Sequence, residues 1–365
     1  MAEEKIVKNG RTLIIDTQIR SEYPLLKLLI NACEATIKNI YFTLPAVRRL
    51  RKLTVILKSI LAEEKLGIKS ATSKVTMTVK ELGLAKGYVK PELIASKGKN
   101  MLVISLDHAL MEVVANELKI AGKIPEIKKS TTQELKGHVE KFARSLDLAK
   151  LLPLVQRDIA NTFLHECMHL IHAKINEYVK LRIKADNKVL PVIAAKLGEK
   201  LIGKGKPPEY AAILAALRAG LFILINNVLM EGIATFATRY ISRNGIAKED
   251  LVEIYEEGKR ASMLLLQSIT NLMKVKQTGE NLEATFKNFS NILQFCAYPI
   301  GLCVCYTIMY VNTNLELGDL FKLKHFEAIA LYESSSQKLG LQPVISYHGE
   351  GIFDYNRVLK EIWHA

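Results

Sequence analysis

The chain has 365 residues, 49% hydrophobic and 24% charged, with a formal net charge of +14. That length exceeds what one core usually fills, and the balance excludes both a disordered chain and one that is hydrophobic throughout. Five cysteines at irregular spacing in apolar surroundings, Cys33, Cys167, Cys296, Cys303 and Cys305, are poor material for a disulfide framework. They fit a reducing compartment, and the opening MAEEKIVKNG lacks a basic-then-apolar signal, so a cytoplasmic protein is expected.

The first third mixes elements. TLIID (12–16) is short and β-like, and apolar spacing predicts helices over 22–42 and 46–66. KVTMTVKEL (74–82) alternates and is β-branched, which predicts a strand. KNMLVISLDHAL (99–110) is a second strand running into a helix near Asp107, with Gly87, Pro91 and Gly98 punctuating between the two. From about Ser130 the pattern is helical: 131–146, 154–183, 189–202, 208–242, 248–275, 282–312 with an interruption at Pro299, 317–339 and 355–363. The Pro207-Pro208 pair suits a helix start. The expected fold class is therefore mainly α (α+β). A small sheet belongs to an N-terminal lobe, residues 1–175, and a large helical C-terminal lobe covers 176–365, with a cleft between them.

Two runs, 211–230 and 292–311, are long enough to span a bilayer. The first holds Arg218 and Asn226-Asn227, the second Gln294, Pro299 and Gly301. Those polar and helix-perturbing residues favour buried core helices over membrane spans. Basic residues are scattered, and RRLRK (48–52) and KGKPP (204–208) are short. A solvated lysine-rich surface is preferred to a dedicated nucleic-acid or membrane site.

NTFLHECMHLIHAKI (161–175) carries three histidines along one side of a helix. His165 and His169 stand four apart, so their nitrogens can converge on one zinc at about 2.0–2.1 Å. Glu166 lies beside that face, within approach of water held there, while Leu164, Cys167, Met168, Ile171 and Ile175 form the stripe that buries the helix. A zinc that keeps an open position needs a third protein ligand. Downstream, LINNVLMEGIATFATRY (224–240) sets Glu231 among Val228, Leu229, Met230, Ile233 and Ala234. A carboxylate in such company is expected to be buried and so to need a cation. A metal serves, as would an ion pair with Arg218 or Arg239. Gly232 and Ala234 are small enough to admit a neighbouring helix.

HECMH followed by MEGIATFA resembles the gluzincin group of zinc metallopeptidases, in which a glutamate on a later helix completes the ligand set. The resemblance covers those two segments and implies a zincin-like fold, with His165, His169 and Glu231 as Zn2+ ligands and Glu166 as general base. It also points to AYPIGLCVCY (297–306), where Tyr298 would steady a developing oxyanion and Pro299 would break the helix and aim it. Tyr306, Tyr240 and His348 compete for that role, and Tyr298 as an ordinary core aromatic stays open. Many gluzincins carry an acid four residues after the third ligand; Thr235 stands there. The long gap between His169 and Glu231 leaves room for inserted helices at about 187–219. His172 is either a wall or supporting residue or a fourth ligand that closes the site. By the same analogy, MLVISL (101–106) would be the edge strand that receives an extended peptide.

The reading is a zinc-dependent peptidase acting on peptide or protein substrates. Its alternatives are a non-catalytic zinc-stabilised scaffold that binds a partner through its basic surface, and a membrane-associated metalloprotease.

Overall fold

The structure, a computed structural model, describes residues 2–18, 24–58, 87–88, 100–105, 148–179, 190–274, 282–347 and 349–364. The strand expected at 74–82, the helix at 131–146, the helix expected to follow near Asp107, and His348 lie outside the described residues. The chain divides into two compact units, Met1–Leu170 and Ile171–Ala365.

In the first unit five strands form one sheet: β1 (Ala2–Lys8), β2 (Arg11–Thr17), β3 (Lys52–Lys58), β4 (Gly87–Tyr88) and β5 (Met101–Ser105), in the order β1-β2-β3-β5-β4. The inner strands β2, β3 and β5 run parallel, and β1 and β4 are antiparallel edges. Helix α1 (Pro24–Thr43) bridges β2 and β3 and packs on β2. Asn9 and Gly10, both at positive φ, make the two-residue turn that joins β1 to β2. That Asn-Gly pair is the signal from which β1 could have been read.

Two expectations are corrected here. Residues 46–66 were expected to be helical; over the described part, up to Lys58, a short 3-10 turn at Pro45–Val47 instead leads into β3, and 59–66 lie outside the described residues. KLTVILK supports a strand because Leu53, Val55 and Leu57 alternate with half-exposed Thr54 and Ile56, and all three are fully buried. Each such burial is worth about 1.5–3 kcal/mol, and parallel pairing with β2 decides the conformation. Residues 101–106 were expected to form the sheet edge. Strand β5 instead has β3 on one side, and Val103 and Ile104 pair with Tyr88 and Gly87 on the other.

The other described helix of this unit, α2 (Leu148–Ile175), runs unbroken through the boundary at Leu170, so its last turn belongs to the second unit. The second unit adds α3 (Leu190–Gly203), α4 (Pro208–Arg243), α5 (Asp250–Lys274), α6 (Leu282–Val311), the short α7 (Leu317–Leu320), α8 (His325–Lys338) and α9 (Tyr355–His364). A two-stranded parallel pair, β6 (Ile345–Ser346) and β7 (Phe353–Asp354), precedes α9 and was not expected from the sequence. The single helix expected over 317–339 is divided between α7 and α8. Helix α4 begins with Pro208 in its first turn and ends where Asn244 turns left-handed, with the Gly245 N–H donating to Tyr240 O.

Helix α6 is the centre of this unit, packed by α4, α5 and α8, and Ile300–Met309 is buried along its length. The interruption expected at Pro299 does not occur: α6 continues through it. An interior proline costs about 3 kcal/mol, which the burial of ten consecutive residues after it outweighs. Among the described residues, no helix is long and apolar enough to cross a membrane.

Arg218 on α4 is buried, and its guanidinium donates to Ile362 O at 2.9 Å and to Trp363 O at 3.0 Å while stacking 4.8 Å over the Trp363 ring. A cation thus caps the C-terminal carbonyls of α9. Arg218→Met is expected to lower stability by about 2 kcal/mol and to deprotect the amides of α9 in hydrogen exchange. An unchanged urea midpoint would remove this cap from the account.

All five cysteines are free and buried. Burial pushes the Cys303 thiol up to about 11 and those of Cys33 and Cys296 to about 12, from an ordinary 9.0. The unfolded chain therefore releases these protons first as pH rises. The stability the neutral thiols lend is whole below about 9 and falls as pH climbs through 11–12. A urea midpoint lower at about pH 10.5 than at pH 8 is expected, and native protein should react with a thiol reagent only on unfolding.

Candidate metal centre

From Thr162 to Ala173 every residue of α2 is buried except His165, which is half-exposed. Buried Leu164, Cys167, Met168, Leu170 and Ile171 hold the helix by apolar contact on several sides. Its C-terminal turn is pinned by polar contacts. Asn176 Nδ2 donates to Phe321 O at 3.3 Å and Leu323 O at 2.9 Å. The His172 ring packs against Phe321 with centroids 5.7 Å apart. His169 and His165 lie one and two turns earlier on the same helix.

The i, i+4 spacing brings the rings of His165 and His169 edge to face, with centroids 4.7 Å apart and Nε2 atoms 3.1 Å apart. Two nitrogens at that distance either share one proton or direct both lone pairs at one cation. Around a tetrahedral zinc with bonds of 2.0–2.1 Å, neighbouring ligand atoms stand roughly 3.3–3.4 Å apart.

Among the described residues, His165, His169 and Glu231 are a group that could hold a metal, their ligand atoms all within 4.8 Å of one another. His172 is not in that group. Glu231 departs from expectation in one respect: it is half-exposed, not buried. The reason lies in the helical period. Asn227, Met230, Glu231 and Thr235 are all half-exposed and line one stripe of α4, while Val228, Leu229, Ile233 and Ala234 beside them are buried. Two of the three ligand side chains thus have partial access to solvent, which a substrate or water requires.

The ion pairs proposed for Glu231 as an alternative do not form. Arg218 serves the end of α9, and Arg239 Nη2 pairs with Asp250 Oδ2 at 2.8 Å. Glu166 is buried at 6% exposure, next in sequence to His165. Tyr298 is half-buried on α6, three residues before Gly301. Of its competitors, Tyr306 donates its hydroxyl to Ala247 O, and Tyr240 stacks on Phe236 with centroids 5.7 Å apart.

The position of Glu231 depends on a contact that only half showed in the sequence. Gly232, next to it, meets Gly301 of α6 backbone to backbone. A Cβ built on Gly301 would strike Val228 O and lie 2.6 Å from Gly232 Cα; one on Gly232 would strike the Gly301 backbone. A second close approach joins α5 to α6, where a Cβ on Gly258 would stand 2.7 Å from Cys303 Cβ. Gly232 was expected to admit a helix; Gly301 and Gly258 were missed, because nothing local marks which glycine faces which.

No family model, curated protein or solved structure matches the chain.

Proposed function

We propose that the protein is a zinc-dependent peptidase of zincin type, with His165, His169 and Glu231 as the ligands. The observation that carries this is the convergence of two imidazoles and a distant carboxylate, their ligand atoms within 4.8 Å, in a chain whose HECMH and MEGIA segments resemble the gluzincins. His165, His169 and Glu231 would hold the zinc, which when bound would supply Lewis acidity to a carbonyl and lower the pKa of water to about 7. Glu166 is the group that accepts the proton of the attacking water and passes it to the leaving amine. Tyr298 is proposed to donate a hydrogen bond to the oxyanion.

A second reading, a zinc-stabilised scaffold without turnover, is favoured by one observation. Thr235 stands where many gluzincins carry the acid that orients a ligand histidine. Among the described residues its buried hydroxyl makes no hydrogen bond. One experiment addresses both readings: elemental analysis of the purified chain together with cleavage of a mixed peptide panel, with and without chelator. About one equivalent of zinc and chelator-sensitive cleavage are expected. Zinc without cleavage across the panel supports the scaffold, and no zinc sinks both.

A further inference from the structure

We infer that one end of the N-terminal sheet is a docking surface for an anionic lipid bilayer, reached from the β1–β2 hairpin tip and the segment entering β3. Five exposed cations gather there, Lys8 on β1, Arg48 and Arg49 in the turn after Pro45–Val47, then Arg51 and Lys52, and exposed Lys5 lies midway along β1. The segments that carry them, 5–15 and 44–58, contain no acidic residue. The acids of this sheet, Glu3, Glu4 and Asp16, lie toward its other end, where Glu3 pairs across from Asp16. Among the described residues Lys5, Lys8, Arg48, Arg51 and Lys52 form no ion pair. Five cations without an ion-pair partner among the described residues are complementary to a negative surface.

The register brings the two segments together. Lys8 pairs opposite Arg11, and Thr12 pairs opposite Lys52, so Lys8 and Lys52 flank β2 at roughly two strand spacings, about 10 Å. The turn between Val47 and Lys52 is tied down at three points. Arg11 Nη2 donates to Val47 O at 2.8 Å, the Tyr41 hydroxyl to Leu50 O at 2.6 Å, and Thr12 N to Arg51 O at 2.8 Å. The backbone that bears the cations is therefore preorganised, and little order need be gained on binding.

What selects a bilayer over a polynucleotide is the company these cations keep. Val7 lies between Lys5 and Lys8 and is 64% exposed, an apolar side chain with no part in the core. Among the described residues, the aromatic side chains at this end, Tyr41 and Phe42, are buried and half-buried and offer a base no exposed stacking surface. Cations around a protruding aliphatic residue suit a headgroup layer with a shallow apolar boundary. The attachment is peripheral and needs no spanning helix.

The test is sedimentation of the full chain with vesicles of phosphatidylcholine alone or with about one-third phosphatidylserine. Binding to the anionic vesicles only, released by about 0.5 M salt, is expected. The triple variant R48E/R49E/R51E should bind on the order of 100-fold more weakly, since each Lys or Arg near such a surface contributes about five-fold. A second variant, K8E/K52E, should weaken binding in the same direction, and V7D should do so with the charge of the Arg row intact. Native circular dichroism of each variant is the check that folding is unaffected. The inference is overturned if the wild-type chain ignores anionic vesicles, if both charge-reversal variants bind as well as wild type, or if the chain binds duplex DNA but no vesicle.

Discussion

Glu166→Gln is expected to retain about one equivalent of zinc and to lose peptide hydrolysis by about 10²–10⁴-fold, the usual contribution of a positioned general base. Glutamine matches glutamate in shape, so the buried site at 6% exposure need not repack. It cannot take a proton at neutral pH, so only the proton transfer is removed. The ligands behave oppositely. Glu231→Ala should lower zinc content, because two histidines on one helix remain but the carboxylate from α4 is gone. A double His165→Ala/His169→Ala variant should bind no zinc at all. The pattern across these variants matters more than any one of them. Full hydrolysis in Glu166→Gln would remove the base. Undiminished zinc in the double histidine variant would remove the site.

The second large effect concerns the glycine crossing. Gly301→Ala and Gly232→Ala are each expected to cost at least about 3 kcal/mol, at or above the usual range for overpacking. The added methyl group meets backbone, not the end of a flexible side chain: Val228 O in one case and the Gly301 backbone in the other. Neither can rotate aside, so α4 and α6 must separate along a contact that organises the second unit. Total stabilities of 5–15 kcal/mol leave little margin for that. Because Glu231 adjoins Gly232, zinc content should fall alongside the urea midpoint. Gly220→Ala, in the same helix, is the control. An added Cβ there meets nothing within 4 Å, so a gain of about 0.5–1 kcal/mol is expected from helix propensity. Equal losses at positions 220 and 301 would mean that close approach is not the cause.

The sequence by itself determined most of the described helices from residue 148 onward, though neither the division of 317–339 nor the continuity through Pro299, and two of the strands. The bounds predicted for 208–242 and 248–275 differ by no more than two residues from α4 and α5. Long amphipathic or capped segments carry their own period and stop signals, so no partner is needed to read them. The histidine pair was legible for the same reason: i and i+4 on one helix is local geometry. Glu231 was legible as an acid out of place in an apolar run, but its half-exposure was not. Which stripe of a helix faces outward depends on where the neighbouring helices lie.

The tertiary structure alone decided what links distant segments. KLTVILK is compatible with helix or strand until β2 and β5 flank it. Strand β5 cannot be told from an edge until β4 pairs with it. Gly301 is one of 20 glycines until α4 lies on it. Lys8 and Arg48–Arg49 are forty residues apart and read as scattered charge, yet parallel pairing of β2 with β3 sets them at one end of a sheet. Local patterns record how a segment treats water; which segments then meet is set by the path of the whole chain.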